Sequence, residues 1–290
     1  MEVIMFNKIV FSLLTLISIH AYTLSPYEAS QLPYFGNTQN EIQSYIQSLV
    51  NINMSVKDAL EWHFDTREQE IIQSINQQYG IHPDSWTYIE NLFFDIMAKD
   101  PLFKPSTSSM LHRPGEHPIL KTARAVLVNC GMNPNAVTIV NSNTTSCGTV
   151  STTLNANRIP LHKLELNVAE LSQFTPAEYT ALIKHEIQHL WYGDSLKMRL
   201  YASILPYYAS LSNSSISALF KNLELRADIM SAISSPQDIA SLIAWCQKTV
   251  YFDGEDPSYN PNHPTFAQRV TALQQTAHYL FEEQKYWAYA

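Results

Sequence analysis

The sequence has 290 residues, 46% of them hydrophobic and 15% charged, and carries a formal net charge of −8. A chain of this make-up can bury the core of one or two globular domains, which excludes an intrinsically disordered protein. The acidic balance leaves no basic face, which argues against nucleic acid or an anionic membrane surface as partner.

Lys8 precedes an apolar run from Ile9 to Ala21, "IVFSLLTLISIHA". The run is too short for a membrane-spanning helix but suits the core of a secretory signal peptide cleaved after Ala21. Residues 1–21 are thus expected to be a signal, and the protein to be exported, periplasmic or secreted. Glu2 weakens the positive start, so an uncleaved N-terminal anchor is the alternative and the one route to membrane association.

From about Asn40 to Asp100 the pattern is helical: "TREQEIIQSINQQY" and "DSWTYIENLFFDIMAKD" space apolar residues by three and four. A stretch richer in Pro, Ser and Thr, Asp100 to Pro118, follows as a linker. Next come "ARAVLVN", "AVTIVNS", "GTVSTTL" and "HKLELNV", β-branched runs that predict a small sheet of three or four strands. Cys130 and Cys147 bracket a loop and short strand whose return would bring them together as a disulfide, which suits an exported chain, with Cys246 left over. The expected fold is α+β, mainly α, with a helical N-terminal region and linker (22–118) ahead of a second domain (119–290).

From Thr175 the pattern is helical again. "TPAE" offers Thr175 as N-cap, Pro176 at the first helical position and Glu178 as the partner in a capping box, and Gly193 can end the helix. Within it lies "HEIQH". A helix turns about 100° per residue, so His185 and His189 share a face and can each send an imidazole nitrogen to one cation. A hydrolytic zinc takes three protein ligands and a water, and Glu186, beside the first histidine, is the natural acceptor of that water's proton.

A third ligand is required. The metzincin pattern fails, because it needs Gly at 192 and His at 195, where this chain has Tyr192 and Ser195. The downstream acids are Asp194, Glu224, Asp228 and Asp238. Glu224 and Asp228 lie four apart on the amphipathic segment "LFKNLELRADIMSAI", so one could bind metal while the other accepts the outer N–H of a ligating histidine.

Taken with "HPTFAQRVTAL", His263 to Leu273, the motifs "HEIQH" and "ELRADIMSA" resemble the zinc metallopeptidases typified by HtpX, the Oma proteases and the CAAX prenyl proteases. Those proteins carry HExxH, ExxxD and a later HPxxxxR segment in this order. The resemblance covers roughly residues 120 to 280 and implies a zincin-like domain with a small sheet beside the HExxH helix. It implies one Zn2+ per chain, held by His185, His189 and Glu224, with Glu186 as base and Asp228 orienting a histidine. His263 and Arg269 take the HP and R positions: His263 as a catalytic group at the oxyanion or a cap on the resting metal, Arg269 as a brace for Asp228 or another buried acid.

Two departures touch substrate choice. Gln188 stands where the family often has Gly, and the region before the helix reads "NSNTTSCGTVSTTLNANRIP". An edge strand in that region commonly holds the peptide in such enzymes. The expected activity is a zinc endopeptidase acting on unfolded or misassembled exported or envelope proteins, a role in protein quality control. The alternative is a catalytically weak, chaperone-like metal-binding protein of the same fold, against which Glu186 speaks. A gluzincin aminopeptidase is a minor third reading, since no "GxMEN"-like stretch is present.

Overall fold

The protein is described by a computed structural model over residues 56–105, 115–143, 147–205, 214–253 and 263–277. The expected signal or anchor at 1–21 lies outside these residues. No described helix is long and apolar enough to cross a membrane.

Helices dominate, beside one small sheet. Those longer than two turns are α1 (Val56–Tyr79), α2 (Pro83–Met97), α3 (Pro118–Asn129), α4 (Pro176–Tyr192), α5 (Asp194–Ile204), α6 (Ser214–Ala232), α7 (Pro236–Asp253) and α8 (Phe266–Ala277). Local chemistry sets several starts. His82 and His117 each accept the backbone N–H two residues on, directly ahead of Pro83 and Pro118.

The strands β1 (Val137–Asn141), β2 (Gly148–Leu154) and β3 (Pro160–Leu166) lie in the order β1-β3-β2. β1 runs parallel to β3, and β2 returns antiparallel to it through a short turn at Asn155. Along β3, Pro160, His162, Leu164 and Leu166 face inward while Leu161 and Lys163 face out, the alternation of a half-covered sheet.

Two expectations need correction. "ARAVLVN" is the end of helix α3 and not a strand, so the sheet has three strands among the described residues. Counted from Pro118, its buried apolar residues Ile119, Ala123, Val126 and Leu127 fall at helical spacing. The β-branched count had caught only one end of that pattern. The three cysteines are free thiols, so the Cys130–Cys147 bridge is not formed. The reason is topological: β1 does not return against β2, because β3 inserts between them and sends Cys147 to the far edge of the sheet.

Two apolar cores result. One joins the sheet to α3, α4 and α7 through residues such as Leu127, Leu164, Ile183, Ile187 and Leu242. The other joins α1, α2, α5 and α6 through Ile71, Ile75, Trp86, Leu196 and Leu219. The linker is tied to the sheet by a buried polar link. His162 Nε2 lies 2.9 Å from an Asp100 carboxylate oxygen, and its Nδ1 lies 3.0 Å from Thr152 Oγ1. Helices α4 and α6 pack side by side, and this pairing builds the site.

Candidate metal centre

The capping box read from the sequence is formed: Thr175 N donates to Glu178 Oε2 at 2.8 Å, and Glu178 N donates to Thr175 Oγ1 at 3.4 Å. Pro176 opens α4 and Gly193 closes it in the left-handed region, at φ 65°. Only glycine takes that conformation cheaply, and here a Cβ would also stand 2.9 Å from the Phe93 ring. The corner turns the chain at once into α5, so Asp194 folds back beneath the last turn of α4.

His185 and His189 are buried one turn apart, with their Nε2 atoms 3.2 Å from each other. The Glu224 carboxylate on α6 completes the cluster, with one oxygen 3.4 Å from His185 Nε2 and the other 3.5 Å from His189 Nε2. Each outer imidazole nitrogen has its own buried acid. His185 Nδ1 lies 2.8 Å from Asp228, and His189 Nδ1 lies 2.9 Å from Asp194.

An arginine braces each acid. Arg269, from α8, holds both Asp228 oxygens through Nε and Nη2, with its guanidinium over Trp245. Arg226, on α6 between Glu224 and Asp228, donates Nη2 to Asp194 and stacks over Tyr192. His263 stands half-exposed on the rim, Nδ1 3.4 Å from Glu224. Glu186 is buried with no hydrogen bond or ion pair to the described residues, and its Cγ lies 3.3 Å from where a Cβ on Gly148 would be.

Of the candidate residues, His185, His189, Asp194, Glu224, Asp228, His263 and Arg269 form one connected cluster; Glu186 follows His185 in α4 beside Gly148, and Asp238 lies elsewhere. Asp238 pairs with Lys184 at 2.6 Å and with Ser234 and Ser235 near the start of α7, so it is not a ligand. Asp194 is a partner of His189 and not a fourth competitor for the cation. Arg226 and the bracing of Asp194 were missed. The available signals were the glycine corner beside the motif and an arginine between two functional acids.

The electrostatics follow from this packing. Burial alone would lower the histidine pKa values, but the carboxylates outweigh it. Asp228 and Glu224 hold His185 above its ordinary value, and Glu224 and Asp194 hold His189 well above. Burial would raise the acids, yet His189 and its neighbours hold Glu224 well below the carboxylate range, and Arg269 with His185 holds Asp228 below its ordinary value.

Donor chemistry and spacing both fit zinc. Two imidazoles and a carboxylate form a common hydrolytic zinc set, which leaves a fourth position open. Bonds of about 2.0–2.1 Å to a tetrahedral ion put neighbouring donors about 3.3–3.4 Å apart, against the observed 3.2, 3.4 and 3.5 Å. The three side chains are a group able to hold a metal ion. Comparison of this chain with protein-family models, curated proteins and solved structures finds no match.

Proposed function

We propose that this protein is a zinc-dependent endopeptidase of zincin-like fold that hydrolyses peptide bonds of exported or envelope polypeptides. The observation that carries the reading is the convergence of two Nε2 atoms. With both Nδ1–H groups donated to Asp228 and Asp194, the Nε2 lone pairs face one point from 3.2 Å apart. That arrangement is repulsive unless a cation or a proton sits between them, and Glu224 supplies a third donor on the same side.

A bound zinc would supply a water acidic enough to ionise near neutral pH. The chain's own groups do the rest. Glu186, without a hydrogen-bond or ion-pair partner among the described residues, receives a proton on its carboxylate and returns it to the nitrogen of the departing amine. Asp228 and Asp194 fix the tautomers of the histidines. His263, exposed on the rim beside Glu224, is placed to donate to the oxyanion.

The sheet supports a peptide as substrate. Asn167 N donates to Cys147 O, whereas Thr152 N points away from β3 to the Ser195 hydroxyl. By strand alternation, Gly148 and Val150 then present their backbone groups on the outer edge of β2, which no described strand covers. That edge passes beside Glu186, so a peptide added to it would lie along the site. Unfolded or misassembled chains offer such segments, which favours protein quality control as the role.

Glu186→Gln is the direct test. It should retain zinc and lose peptide hydrolysis by about 10³-fold, within the range for removal of a general base. Full activity in this variant would remove Glu186 from the role. A wild-type chain that holds zinc but cleaves nothing would point to the chaperone-like alternative.

A further inference from the structure

Helix α1 lies far upstream of the zinc-binding motif in sequence, yet it contributes a buried acid to the same charge network. Glu68 is 2% exposed. It accepts from Lys197 Nζ at 3.0 Å, from Tyr201 Oη at 2.8 Å and from Arg226 Nη1 at 3.2 Å. Arg226 is fully buried and gives its other terminal nitrogen to Asp194, which in turn accepts from His189. Asn222 on α6 also donates to the Phe64 carbonyl of α1, one turn from Glu68. The order His189, Asp194, Arg226, Glu68, Lys197 alternates acceptor and cation through the interior without a gap.

The two histidines differ in this respect. Arg269 commits two nitrogens to Asp228, whereas Arg226 divides its guanidinium between Asp194 and Glu68, with the exposed Asp65 at 3.3 Å as a lesser partner. We infer that Glu68 is a positioning residue for the metal centre, setting through Arg226 and Asp194 how strongly His189 holds its cation. The inference rests on the zinc reading of the site.

If Glu68 loses its charge, Arg226 acts on Asp194 alone, the carboxylate becomes a poorer acceptor for His189 Nδ1–H, and Nε2 becomes a poorer donor to metal. If Lys197 loses its charge, Glu68 acts more fully on Arg226 and the effect reverses. General loosening of the fold would weaken both variants alike.

The test is zinc affinity of the full chain by competition with a fluorescent chelator, for wild type, Glu68→Gln and Lys197→Gln, each also in an Asp194→Asn background. Glu68→Gln should bind roughly three- to tenfold more weakly, less than the 10–100-fold typical of a direct partner. Lys197→Gln should bind as tightly as wild type or more so, and both effects should vanish with Asn at 194. Weaker binding in both variants, no change in Glu68→Gln, or a full effect persisting with Asn at 194 would each overturn the inference while leaving the zinc site intact. If Glu68→Gln is unfolded by circular dichroism, Lys197→Gln decides alone, and weaker binding in it overturns the proposal. A wild-type chain that binds no zinc would instead overturn the proposed function itself.

Discussion

Asp228 and Asp194 are almost wholly buried acids, and such groups persist inside a protein only when a cation and hydrogen bonds compensate them. Removing the compensation is therefore costly. Arg269→Met should lower unfolding free energy by about 3–5 kcal/mol, measured by urea denaturation, because Asp228 would be left buried beside the half-compensation of His185. Asp228→Asn keeps the shape while weakening the acceptor for His185 Nδ1–H, and should weaken zinc binding by about 10–100-fold in a competition titration. The histidine pair was legible in the sequence because four-residue spacing on a helix is itself geometry. Asp194 was considered only as a ligand, since sequence does not say which way the chain turns after Gly193. Arg226 passed unremarked because arginine on an amphipathic helix ordinarily faces water, and only the packing of α1 against α6 shows that this one does not.

Helix α4 was legible from end to end, since capping box, N-terminal proline and terminal glycine are local chemistry that tertiary packing had no reason to override. Gly193→Ala tests the corner. A left-handed alanine costs about 1–2 kcal/mol, and the clash with Phe93 adds to it. The variant should unfold at lower temperature and, by displacing Asp194, bind zinc more weakly. Helix α3 was misread because Val126 and Val128 favour strands in isolation, while the period that makes them helical becomes visible only from His117 and Pro118 onward. The absent disulfide has a longer-range cause: strand order is a property of the whole sheet, and bracketing in sequence says nothing about which strand inserts between its neighbours.

At the scale of the molecule, buried charges link α1 to α5 and α6, helices that also enclose the second apolar core. Burial would raise the pKa of Glu68, but Lys197 and Arg226 hold it down to about 2 from 4.5. A carboxylate depressed in the folded state stabilises fully above its unfolded pKa and loses that contribution as pH falls through the folded one. The shift corresponds to about 3 kcal/mol. The stability advantage of wild type over Glu68→Gln should thus be constant above about pH 5 and shrink steadily toward pH 2, as read from urea midpoints across that range.

The proposed role of His185, His189 and Glu224 is to hold zinc for peptide hydrolysis. The most direct measurement is the metal content of the purified chain and of Glu224→Ala, with casein cleavage followed in the presence and absence of a chelator. The expected result is one zinc per chain in the wild type, its loss in the variant, and cleavage that the chelator abolishes. A wild-type chain without zinc, or a variant that keeps both zinc and activity, would contradict it.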